Sequence, residues 1–202
     1  MDEWLNVVIR QITLYLLPVI ISLTLVCLIE KRYTHTHIPH PFFAIAWRGT
    51  WWPFLVSICF TRGIIFALPN PLKSGLKPAF IRFSAHLFLT CLGLLLYTWS
   101  LSHQAPTGLP PLHHWWAKVL MFFNLCMLGI HLLPLPNLLF GEWLIMQRHK
   151  HHLLHVYAQQ LSSQRSLWLL TLLAASPIID VSIGANIIFP IYEQLASTAA
   201  HF

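Results

Sequence analysis

Charge is scarce in this chain. Asp, Glu, Lys and Arg make up 9% of its 202 residues, against roughly 25% in soluble globular domains. So few charges cannot cover a water-facing surface of this size, which excludes an ordinary soluble protein. Acidic residues are the scarcer kind, six against twelve Lys and Arg. Cysteine is confined to Cys27, Cys59, Cys91 and Cys126, each inside an apolar run and none in a CxxC pair. That pattern excludes a disulfide framework, and the four read as small buried hydrophobes. No HExxH, no GxSxG, no nucleic-acid-binding motif, no repeat and no low-complexity tract occurs. The N-terminus opens on Asp2 and Glu3 rather than on basic residues, and no small-x-small site follows the first apolar run. A cleaved signal peptide is therefore not expected.

Hydrophobicity is what the chain has in quantity: 56% of residues, with a mean hydropathy of +0.64. The reading is an all-α integral membrane protein, one membrane domain over 1–202, with no room for a separate soluble domain of ~100 residues. Spans are expected at 7–29, 79–101, 119–136 and 167–190, each near the ~20 residues a crossing helix needs. Pro18 interrupts the first span, and Pro177 and Asp180 weaken the last. The stretch 50–68 is apolar but broken by Pro53, Arg62 and Gly63. Its uninterrupted part is too short to cross and reads as a re-entrant or interfacial segment. GEWLIMQRHKHHLLHVYAQQLSSQRS, 141–166, reads as an amphipathic surface helix. HHWW at 113–116 reads as an interfacial anchor.

Charge placement favours four crossings over five. With 50–68 dipping into one leaflet, Lys31, Arg32, Arg48, Arg62, Lys73, Lys77, Arg82, Arg148, Lys150 and Arg165 share one side, and only Arg10 and Lys118 lie opposite. Positive loops face the cytoplasm, so both termini are placed outside, and the basic face is expected to meet lipid headgroups.

Within this layout, FFNLCMLGIHLLPLPNLLFGEWLI, 122–145, resembles the third core helix of the site-2 proteases, the intramembrane zinc metallopeptidases. Their helix ends in an N-x-x-P run, a second proline and L-D-G. His131 stands at the Asn position, and Pro134 and Pro136 match the prolines. RFSAHLFLTCLGLLL, 82–96, is similar to the family's G-P-x-x-N helix, with Arg82, Phe83 and His86 replacing Gly, Pro and Asn. The four-span plan with a re-entrant segment after the first helix also resembles the bacterial members, which implies a bacterial inner membrane. The resemblance covers roughly residues 10–150.

The family's chemistry requires two His one helical turn apart, a Glu beside the first as general base, and a distant Asp as third zinc ligand. Laid on HExxH, CLIEK puts Cys27 and Lys31 at the His positions and Leu28 at the Glu position; Leu139 stands at the Asp position. Leu cannot take a proton from water, and an ammonium cannot ligate zinc. The resemblance thus implies a pseudoprotease with no catalytic residue and no cofactor. Its pocket candidates are His86, His131, Pro134, Pro136, Asn137, Glu142 and Asp180. Glu142, beside Trp143, also reads as a plain interfacial carboxylate. His86 and His131 read either as a functional pocket or as neutral imidazoles bonded across a helix pair. Asp180 has the same two readings, with a partner subunit as one way to satisfy it.

Thirteen His raise a metal reading. His151 and His155 would share a helix face at i,i+4, and His35 and His37 lie on the same side of the membrane. The plainer reading is a basic interfacial helix against anionic headgroups. Three functions follow: a non-catalytic membrane subunit that binds a partner transmembrane helix in a larger complex, a divergent active metallopeptidase, or a haem- or copper-binding subunit. Lost ligands and small size favour the first.

Overall fold

The structure, a computed structural model, describes residues 2–35, 47–67, 73–103, 109–147 and 163–201. Among them every regular element is helical. α1 runs Asp2–Thr34, α2 Trp47–Cys59, α3 Leu76–Ser102, α4 Leu112–Ile130, α5 Leu139–Met146 and α6 Ser163–Ala175. A π-helical stretch, Asp180–Ile188, leads directly into α7, Phe189–Ala200. α1, α3 and α4 pack against one another as a three-helix core. α2 lies against α6 and α1, and the π stretch and α7 lie against α4 and α3.

By length and composition two helices qualify to cross a membrane, Glu3–Thr34 and Leu76–Ser102; the count rises to three if the bent pair Leu167–Ala175 and Asp180–Ala200 is one crossing. At 1.5 Å per residue, a helix of about 33 residues is about 50 Å long, well beyond the ~30 Å hydrocarbon thickness. Pro18 lies inside α1 without ending it, as a membrane helix packed against neighbours allows.

Two expected spans take a different form. The stretch 119–136 is helical only to Ile130, and α4 instead begins at Leu112, directly after Pro111. Proline suits a helix start and disfavours helix in the residue before it, so Pro110 and Pro111 set one end and Pro134 the other. The stretch 167–190 is broken: α6 stops at Ala175, and the chain turns by 81° before Asp180. Pro177 has no N–H to continue the ladder, and Ser176 closes α6 with its N–H on Leu172 and Leu173 carbonyls. The stretch expected to be re-entrant forms a helix, α2, followed by an irregular strap at 62–67. Ile64, Ile65, Phe66 and Ala67 of this strap are buried. Such backbone is tolerated at membrane depth where protein shields it.

Of the 141–166 stretch, 141–146 belong to α5 and 163–166 to α6; 148–162 lie outside the described residues, with His151 and His155, and so does His37. The cysteine reading holds for half the set: Cys27 and Cys126 are buried, whereas Cys59 and Cys91 are exposed. In lipid an outward thiol is an apolar surface group with no desolvation cost to avoid. In HHWW, His114 turns inward, 3.0 Å from Ser100 Oγ, while His113 stays exposed.

Candidate functional site

Polar side chains inside apolar helices are costly against lipid and turn toward the bundle interior. Here Ser22, Glu30, Arg82, His86, Asn124 and His131 are all buried, and they meet where α1, α3, α4 and the Pro-rich break 131–138 come together.

Arg82 is the hub. Its guanidinium donates to Glu30 Oε1 at 2.5 Å, to the Asn137 carbonyl at 2.7 Å and to the Lys73 carbonyl at 3.3 Å. One side chain thereby ties together the end of α1, the approach to α3 and the Pro-rich break. The side chains of the pair are only 5% and 3% exposed, so protein groups must stand in for the water that each charge has given up.

The break itself is shaped by local geometry. Asn137 sits at φ 67°, a left-handed conformation that Asn accepts better than most side chains. Its N–H donates to Glu142 Oε1 at 2.8 Å, and its side chain is 3.2 Å from Ser74 Oγ. Glu142 is buried. It is thus a cap on the turn, not an exposed interfacial carboxylate, because α5 folds back over the loop. Gly141 permits that return: a Cβ there would lie 1.8 Å from the Leu135 carbonyl oxygen. Pro134 is exposed and Pro136 half-buried; they shape the loop and contribute no polar group.

The two histidines have assigned roles that follow from their neighbours. Asn124 Nδ2 donates to the Leu120 carbonyl at 2.8 Å, and a carbonyl can only accept. The same nitrogen is 2.8 Å from Ser22 Oγ. Asn124 therefore presents Oδ1 to His86 Nδ1 at 2.8 Å, so His86 Nδ1 carries a proton. At His131 the order is reversed. The Leu139 N–H donates to His131 Nδ1 at 3.2 Å, so this Nδ1 is bare and the proton sits on Nε2. The two rings lie 5.9 Å apart. His86 thus bonds across a helix pair, while His131 closes its own loop.

This arrangement bears on metal ligation. His131 would have to surrender either its Nε2 proton or its bond to Leu139 to bind a cation. Among the described residues, no group of three His, Cys, Asp or Glu side chains converges as a ligand set. His35, exposed at φ 53° at the end of α1, stands apart from the pair.

Asp180 belongs to a second, separate centre. Its Oδ1 accepts the Ile64 N–H at 2.8 Å, and its Oδ2 the Gly63 N–H at 3.3 Å. Arg62 answers from the strap, its Nε donating to the Ala175 carbonyl at the end of α6 at 3.0 Å and its Nη2 bonding the same oxygen. The chain itself satisfies the carboxylate, with no partner subunit needed. A Cβ at Gly63 would lie 2.8 Å from the tip of the Phe189 ring, which would have to shift to admit it.

Sequence reasoning brought His86, His131, Asn137 and Glu142 to one region but left out Glu30, Asn124 and Ser22. It counted Arg82 as a topology charge. The available signal was position: Ser22, Arg82 and Asn124 are polar residues inside apolar runs, and Glu30 follows one directly. With Arg82 buried and Arg62 bonded to Ala175, two of the ten basic residues credited to one face are internal structural groups. No protein-family model, no curated protein and no solved structure matches this chain, so its geometry alone must carry any reading of function.

Proposed function

We propose that this chain is a non-catalytic integral membrane subunit, built on a site-2-protease-like core of four crossings and a re-entrant segment, that holds a partner transmembrane helix within a larger complex. The basic face lies against cytoplasmic headgroups, and both termini lie outside. The observation that carries the reading is Arg82. At the position where the family resemblance implies glycine, a guanidinium draws together Glu30 and the Asn137 and Lys73 carbonyls. A permanent cation on the protein's own side chain thus serves the junction of α1 and the Pro-rich break. Leu139, at the position of the family's Asp, contributes only its N–H to His131. With Leu28 at the general-base position, the side chain there cannot take a proton from water.

The test is purification of the full chain in mild detergent. The expected result is an assembly containing another integral membrane protein in fixed ratio, without stoichiometric zinc and without haem absorption. A chain that leaves the membrane alone, as a stable monomer, would sink the subunit reading; a full equivalent of zinc with peptidase activity lost on chelation would replace it with the metallopeptidase.

A further inference from the structure

Two imidazole nitrogens in the bundle interior have no protein partner. His86 gives its Nδ1 proton to Asn124, so its Nε2 is a bare acceptor. His131 takes the Leu139 N–H on Nδ1, so its Nε2–H is a donor. His86 is 1% exposed and His131 2%, yet nothing among the described residues bonds either Nε2. Buried polar groups are almost always bonded, to protein or to ordered water. Gln11 Oε1, Thr24 Oγ1 and Trp116 Nε1 are also unpartnered, but they are sealed from a water-sized sphere; the two Nε2 atoms are not.

The fold turns these two atoms toward one another. Asn124 and His131 are seven positions apart on α4, two turns and about 10.5 Å along one face. His131 still holds helical angles, φ −62° and ψ −15°. His86 reaches in from α3, its ring 5.9 Å from that of His131, and Phe83, one turn earlier on α3, packs edge-on against the same His131 ring. The two nitrogens of an imidazole lie on opposite sides of the ring. With Nδ1 held on Asn124, His86 Nε2 points along α4 toward His131. With Nδ1 turned to the Pro-rich break, His131 Nε2 points back into the bundle.

We propose that one water molecule is held between the two rings, accepting the His131 Nε2–H and donating to His86 Nε2. The opposed tautomers select the guest, which must accept on one side and donate on the other. A bare cation would face the His131 N–H, and an anion would face the lone pair of His86; a neutral water satisfies both. It completes a hydrogen-bonded chain from Ser22 through Asn124, His86 and His131 to the Leu139 N–H. That chain ties α1, α3 and α4 to the break. It is structural and carries no proton across, because a carboxamide at one end and a peptide N–H at the other pass none on. Water in such a place is costly to remove. The inference stands apart from the partner-helix reading above.

The test is nuclear magnetic resonance of the full chain in detergent micelles, with nitrogen-labelled histidine. The His131 Nε2–H proton should show rotating-frame cross-relaxation with water, opposite in sign to the diagonal, as a held water gives. His86→Phe removes the acceptor and should abolish that peak; if this variant does not fold, the wild-type spectrum decides alone. A nitrogen–nitrogen coupling between the two rings would mean a direct bond with no water between them, and would overturn the proposal. So would a cross-peak with the sign of the diagonal alone, which is proton exchange with bulk solvent. An Nε2–H without any contact to water, an Nδ1–H on His131, or a peak that survives in folded His86→Phe would overturn it as well.

Discussion

Cutting one half of the Glu30–Arg82 pair takes the counter-charge from the other half, and removing both does not. Arg82→Met takes the guanidinium from the buried Glu30 carboxylate and a donor from the Asn137 and Lys73 carbonyls. Breaking a buried pair from one side costs about 3–5 kcal/mol, and Glu30→Leu should cost a similar amount by stranding the guanidinium. Independent effects would then sum to about 6–10 kcal/mol. Glu30→Leu with Arg82→Met removes both charges, and replacing a buried pair by apolar groups is close to neutral in itself. The residual cost is the carbonyls that lose their donor, about 1–3 kcal/mol for the better-bonded Asn137 oxygen. The double variant should therefore sit at least about 3 kcal/mol above the additive value. A charge swap, Glu30→Arg with Arg82→Glu, should rescue little, because it turns a carboxylate toward the Asn137 carbonyl. The assay is unfolding in mixed detergent micelles, followed by the fluorescence of the nine tryptophans. Additivity within about 0.5 kcal/mol, the usual result for independent sites, would refute the claim that this pair is a mutually dependent buried unit.

Gly141→Ala forces a Cβ to within 1.8 Å of the Leu135 carbonyl oxygen, so α5 must lift from the loop; about 3 kcal/mol or more of destabilisation is expected, and a wild-type melting curve would contradict the close return. Asp180→Asn keeps an acceptor for the Ile64 N–H but loses the charge, and bonds to charged groups contribute about 1.5–3 kcal/mol. Amide exchange at Gly63 and Ile64 should quicken at least about tenfold, and unchanged protection would show that the strap is held by packing alone. The bond from the Leu139 N–H requires His131 to carry its proton on Nε2; nitrogen chemical shifts of the labelled ring report the tautomer directly, and an Nδ1–H signal would contradict the loop geometry.

The apolar runs located the helices only coarsely: α4 covers Leu112–Ile130 and not 119–136, and the stretch expected to span at 167–190 is broken after Ala175. Pro110–Pro111 and Pro134 bound α4, and Pro177 stops α6, for local reasons of φ and missing N–H groups that any reader of the chain can apply. The same logic says that Ser22, Arg82, His86, Asn124 and His131 must turn inward, since each is polar inside an apolar run, and all five do; Glu30, at the charged end of its run, is buried as well. It does not say which meets which. Glu30 and Arg82 are 52 positions apart, and Asp180 and Ile64 are 116 apart. Such pairings depend on the rotation and register of one helix against another. Those are set by close approaches spread across the bundle: Gly93 against the Met121 backbone, where an added Cβ would lie 2.6 Å from the Met121 nitrogen, Gly129 against Ile188 and Gly141 against Leu135. Burial is a property of each residue in its own environment and can be read one position at a time. Partnership is a property of packing, and it exists only once the helices have locked together.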